Sequence, residues 1–184
     1  TTGSWSMPMG DIAIDHELAA AICEHTDLAK PDSLAHRFEH SLETQLPFLQ
    51  FFKKKFQIVP ICLKSLKISA CKVLSEGITR AINRLGRPVL IIASSDMTHF
   101  ESHTTAGIKD QKAIACIINR DAAELYNTVR SEKISMCGVN PVTVMLLCTE
   151  KLGAKEAELI KYRTSGEVSG DMQKVVGYAG MIIK

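Results

Sequence analysis

The sequence predicts an α/β fold, a mostly parallel or mixed sheet flanked by helices. Three observations predict it. The run VLIIA at residues 89–93 is continuously apolar, has strand length, and follows Gly86-Arg87-Pro88; such a run suits a parallel strand buried on both faces. Other short apolar runs alternate along the chain with segments of helical period, and that alternation is the signature of helices layered on a sheet. Finally, 184 residues with 46% hydrophobic and 23% charged side chains suffice for a buried core without staples.

From the N-terminus, Asp15 is placed to cap a helix running to about Glu24, with Leu18, Ala19 and Ile22 on one face. Residues 41–52 carry Leu42, Leu46, Leu49 and Phe52, and Pro47 implies a kink or a restart. Residues 56–63 read as a strand that Pro60 pushes toward a sheet edge or a strand end. An amphipathic helix over 69–85 has Gly86 at its C-cap position. Helices follow at 106–118, 121–130 and 141–152, the last with Pro141 in its first turn. Strands over 159–164 and 175–183 flank a linker, 165–171, that is rich in turn residues.

Composition narrows the function classes. The formal net charge is +2, basic residues are scattered except for Lys53-Lys54-Lys55, and aromatics are only 5%; no nucleic-acid footprint is expected. The basic run reads as the polar end of a helix. None of the six cysteines forms a CxxC pair and most sit in apolar stretches, as in a reducing, cytoplasmic setting. No apolar run reaches membrane-spanning length, and no membrane association is expected. Phosphate loops and serine-hydrolase elbows are absent from the sequence.

Three segments carry candidate chemistry. Ser94-Ser95-Asp96-Met97-Thr98-His99 follows the apolar run, where α/β proteins deliver site residues. Asp96 and His99 read as a base with its orienting partner or as metal ligands. Equally, Ser95 or Asp96 could cap the next helix. His40 and Glu43, spaced i, i+3, could form a metal or acid–base pair on one helix face, or simply a helix start. Cys137 precedes the 141–152 helix, a position that favours the thiolate and makes it the candidate nucleophile or soft-metal ligand. The other five cysteines read as core. His16, His25, His36 and His103 read as solvated.

Together the segments resemble the Memo-like family, whose microbial members are called AmmeMemoRadiSam system protein B. The resemblance rests on Gly3-Ser4-Trp5 with Pro8-Met9-Gly10, on HSLETQLP from His40 to Pro47, on Ser94 to His99, on Ser135-Met136-Cys137-Gly138, on TSGEVSGD from Thr164 to Asp171, and on Val176-Gly177-Tyr178-Ala179-Gly180. It implies a fold akin to class III extradiol dioxygenases, and a pocket with iron or copper held by two histidines and one cysteine. Cys137 matches the cysteine ligand, Asp96 and His99 the acid and histidine of the pocket, and His40 and Glu43 a further polar pair near it. The family's His-Ala-Gly-Tyr and Gly-Pro-x-His motifs, which carry the two histidine ligands, do not occur here. The chain therefore reads as residues 1–184 of a single Memo-like domain, its larger C-terminal part. Two functions from different classes follow. One is a metal-dependent, dioxygenase-like oxidoreductase acting on a small molecule. The other is a non-catalytic binding or signalling module using the same pocket, with a peptide as a further candidate partner. A metal-independent cysteine enzyme would need Cys137 and His99 in hydrogen-bond reach.

Overall fold

The computed structural model describes residues 3–53 and 55–184. It divides into two compact units, Thr1–Leu90 and Ile91–Lys184. Lys54, in the middle of the basic run, lies outside the described residues, as do Thr1 and Thr2.

In the first unit, β1 (Ser4–Trp5) pairs antiparallel with β2 (Ile12–Ile14), and β2 pairs parallel with β3 (Gln57–Ile58). Immediately after β2, Asp15 caps α1 (His16–His25): its carboxylate accepts from the Leu18 amide at 3.0 Å and pairs with Arg87 at 2.7 Å. One acid thus starts the helix and ties it to the end of the unit. Helix α1 buries Leu18, Ala19, Ala21 and Ile22, and packs on the Cys71, Leu74, Ile78 and Ala81 face of α3 (Ile68–Leu85). These α3 positions recur at three- and four-residue intervals, the spacing of one helix face. Gly86 takes the left-handed cap conformation at φ 61°.

Two expectations are corrected here. The helix expected over 41–52 is a 3₁₀ turn, Glu43–Gln45, followed by α2 (Leu46–Phe52) with Pro47 in its first turn. Proline lacks the amide that would continue an earlier helix, so the chain restarts rather than kinks. The strand expected over 56–63 is only two residues long before Pro60, which cannot donate to a ladder.

The second unit is built on an antiparallel sheet in the order β4 (His99–Glu101), β6 (Val175–Ile183), β5 (Ala157–Thr164). Helix α4 (His103–Ile118) packs on the sheet, α5 (Ala122–Ser131) packs on α4, and α6 (Val139–Lys151) packs on α5. Ser102 and Asp121 cap α4 and α5 through the Thr105 and Glu124 amides. Leu125, Ile114, Leu146, Met97 and Met136 form the core, each burial contributing roughly 1.5–3 kcal/mol. Between β5 and β6, α7 (Gly166–Ser169) and its left-handed Gly170 form the turn that the composition of 165–171 foreshadowed.

The 89–93 run also departs from expectation. It joins no ladder among the described residues. Ile91 and Ala93 pack on the second unit's core, whereas Leu90 and Ile92 are 76% and 40% exposed. That period-two alternation is the geometry of extended chain with one face buried, not two. Among the described residues the protein is mixed α/β, with one small mixed and one antiparallel sheet.

Candidate functional site

The segment after Ala93 leaves the core in four steps. Met97 and Thr98 turn inward and are buried, while Asp96 and His99 stay half-exposed on the opposite side. His99 opens β4 opposite Val176, and its amide donates to the Ser135 hydroxyl at 2.7 Å. This brings the loop before α6 alongside. Cys137, in that loop, accepts a hydrogen bond on Sγ from the Asp96 amide at 3.1 Å. His99 Nε2 lies 3.3 Å from Asp96 Oδ2. The ligand-capable atoms of Asp96, His99 and Cys137 all lie within 4.8 Å of one another.

Ser95 locks the two loops together. Its hydroxyl donates to its neighbour's carbonyl, Asp96 O, at 2.7 Å and accepts from the Gly138 amide at 2.9 Å. Ser95 thus binds the amide of the residue that precedes α6 and caps no helix. The next helix, α4, is capped by Ser102 instead. Gly138 is required for the approach: a Cβ there would sit 2.4 Å from Ser95 Cβ and 2.5 Å from Ser94 O. Ser95, Ser135 and Gly138 escaped the sequence reading as site residues. Only Gly138, directly after Cys137, carried a local signal.

Chemically, the trio offers one imidazole nitrogen, one carboxylate oxygen and one sulfur. Three such donors at mutual distances under 5 Å fit around a single transition-metal ion, whose donor atoms lie roughly 2.0–2.3 Å from it. The half-exposure of His99 and Asp96 leaves the cluster open to a ligand. Beside it, Lys109 pairs with Glu101 at 2.5 Å. Phe100 holds a left-handed φ of 60°, with its ring 5.8 Å from that of His99.

His40 and Glu43 belong to the first unit. Glu43 begins the 3₁₀ turn, and His40 precedes it, so the two do not share a helix face. Ahead of this turn, the Glu39 carboxylate accepts from the Ser41 and Leu42 amides at 2.6 and 3.0 Å.

Two further histidine and cysteine assignments change. Cys62, expected in the core, is exposed, with Sγ 3.2 Å from His36 Nδ1, beside a cavity of about 840 Å³. Cys71, Cys116 and Cys148 are buried as expected. His103, expected in solvent, is half-buried and bonds the Thr164 hydroxyl at 2.9 Å.

The fold is mixed α/β, of the extradiol-dioxygenase-like kind. Within it, the family profile described as Memo-like protein matches residues 1–182. The chain belongs to the Memo-like family. It is 40% identical over 185 residues to a MEMO1 family protein of Methanopyrus kandleri, covering 100% of this chain and 65% of the relative. It is 40% identical over 185 residues to another from Methanosarcina barkeri, covering 69% of that relative. Over 182 residues it is 40% identical to one from Methanobrevibacter smithii, covering 64% of it. The chain thus spans about two thirds of the length of these relatives. No helix among the described residues is long and apolar enough to cross a membrane.

Proposed function

We propose that the Asp96–His99–Cys137 cluster is the metal-binding end of a small-molecule pocket, and that the protein is a metal-dependent, dioxygenase-like oxidoreductase using iron or copper. The observation that carries this reading is the approach of three chemically different donor atoms to within 4.8 Å of one another from two separate loops. Coincidental acidic clusters are common, but a thiol and an imidazole in the same cluster are the donors that iron and copper favour.

When bound, the metal supplies Lewis acidity and a redox centre. The rest falls to the chain. Cys137 Sγ, steadied by the Asp96 amide, holds the soft side of the site. His99 Nε2 and Asp96 Oδ2, 3.3 Å apart, would complete the donor set, and the Ser135 hydroxyl that accepts from the His99 amide steadies the backbone behind the ring. One imidazole, one carboxylate and one thiolate are not the 2-His-1-carboxylate set, so ring cleavage is not part of the proposal. The six free cysteines suit a reducing, cytoplasmic setting.

The test is metal content by elemental analysis after loading with Fe(II) or Cu(I), comparing the wild type with Cys137→Ala and His99→Ala. Near-stoichiometric metal that falls at least tenfold in both variants is expected. A wild-type protein that takes up no metal, or a Cys137→Ala protein that keeps it, overturns the proposal and favours a binding module that recruits a small molecule or peptide through the same pocket.

A further inference from the structure

We infer that Asp110 is a positioning residue for the pocket, a buried carboxylate on α4 that braces the segment carrying Asp96 and His99; this rests on the reading of the pocket given above. Asp110 is fully buried, although its neighbours Ala106, Ala113 and Ile114 make that face of α4 apolar. A buried carboxylate is retained only where its oxygens are matched. Here both are. Oδ1 accepts from the Thr98 amide at 2.9 Å, and Oδ2 accepts from the Tyr162 hydroxyl of β5 at 2.8 Å.

The Thr98 bond is the informative one. Thr98 lies between Asp96 and His99, and its amide points away from the pocket into the core. On either side of it the chain is held by β6: Met97 N donates to Gly177 O, and Gly177 N donates to Thr98 O, each at 2.9 Å. Asp110 therefore closes the third side of a clamp whose other two sides are strand bonds. The clamp fixes the backbone from which Asp96 faces Cys137 and His99 faces Ser135.

The packing is built around that carboxylate. A Cβ on Gly177 would lie 2.0 Å from Asp110 Oδ2 and 3.2 Å from Met97 Cβ. Only a residue without a side chain leaves room for the acid at this crossing. A helix residue, a sheet residue and a missing side chain thus converge on one backbone amide two residues from Asp96 and one from His99. Partners behind a ligand commonly set its affinity tenfold to a hundredfold.

The test compares Asp110→Ala, Asp110→Asn and Tyr162→Phe, each checked for folding by circular dichroism. Two readouts follow: the His99 ring resonances by NMR without metal, and Co(II) binding through the thiolate-to-metal absorption of Cys137. Asp110→Ala should displace the His99 resonances and weaken Co(II) binding by roughly tenfold to a hundredfold. Asp110→Asn still offers an oxygen to the Thr98 amide and an amino group to Tyr162, and should restore both signals. Tyr162→Phe removes one partner and should shift the resonances in the same direction by less. A folded Asp110→Ala protein with unmoved His99 resonances overturns the inference. If that variant does not fold, an unmoved Tyr162→Phe spectrum overturns it instead. A wild-type protein that binds no Co(II) counts against the proposed function alone, because the His99 resonances still decide the role of Asp110.

Discussion

The Cys137 sulfur receives the amide hydrogen of Asp96 at 3.1 Å, from a residue 41 positions earlier in the chain. Sulfur and carboxylate are thereby held by the same residue, one through its backbone and the other as its side chain. Any change that separates the 94–99 segment from the loop before α6 disturbs both donors at once.

Gly138→Ala is the direct probe of that spacing. The new methyl would have to displace Ser95 or the Ser94 carbonyl, now 2.4 and 2.5 Å from its position. Overpacking of this kind costs about 1–3 kcal/mol. Urea unfolding should show a lower midpoint, and metal uptake should fall along with it. Unchanged stability and uptake would mean that the two loops are not tightly coupled.

Thr98→Val should be neutral or stabilising. The Thr98 hydroxyl is buried without a hydrogen-bond partner, and valine has nearly the same shape. Relief of an unmatched hydroxyl contributes on the order of 1 kcal/mol. A rise in the urea midpoint at unchanged slope is the expected result. A clear loss of stability would show that this hydroxyl has a partner in solution.

Tyr162 gives the alkaline limb of stability a definite sign. Burial, then the hydrogen bond from its hydroxyl to Asp110, then the charges of Asp110 and Glu167, push the phenol well above its ordinary value of 10.0. The unfolded chain releases this proton first, so the native state binds more protons above about pH 10 and stability falls as pH rises there. Below that pH the contribution is fully present. Urea midpoints from about pH 9 to about pH 11 should decline more steeply in the wild type than in Tyr162→Phe.

The exposed thiols should separate by rate. Cys62 and Cys137 are exposed, whereas Cys71, Cys116 and Cys148 are buried, so alkylation of the native protein should label the first two. Burial, then the charge of Glu39, then that of Asp32, push the Cys62 thiol up from 9.0. Its thiolate, the reactive form, therefore appears only at higher pH. Asp32→Asn should move the Cys62 rate profile to lower pH, as read by mass spectrometry of quenched digests. An unmoved profile would remove Asp32 as a cause and leave burial and the Glu39 charge.

What the sequence made legible was local. Asp15 and Gly86 act within three or four residues of themselves, through caps whose chemistry depends on residue type and neighbours. Asp96, His99 and Cys137 stood out because polar residues followed an apolar run and a thiol preceded a helix. That these three meet depends on Ser95 and Ser135 reaching across about 40 positions, and no local pattern encodes such a reach. Residues 89–93 had the composition of a strand buried on both sides, but composition cannot say whether a partner strand lies alongside. Cys62 read as core from its apolar neighbours, yet Pro60 ends the strand two residues earlier and leaves the thiol outside. Asp110 was invisible for the opposite reason. An acid among helix-forming residues looks solvated until Gly177, 67 positions on, is known to leave space for it.

That absent side chain also proofreads the β5–β6 hairpin. In the observed register Thr164 faces Gly177 and Tyr162 faces Ala179. Sliding β6 by one position would bring Val176 or Tyr178 against the Asp110 carboxylate, where not even a methyl group fits. It would also turn every side chain of the strand to the wrong face. The hairpin can therefore zip up against α4 in one alignment only, and the alignment that satisfies the helix also brings the Met97–His99 backbone into place. The strand bonds that close the sheet at Gly177 are thus the same bonds that hold the backbone behind Asp96 and His99.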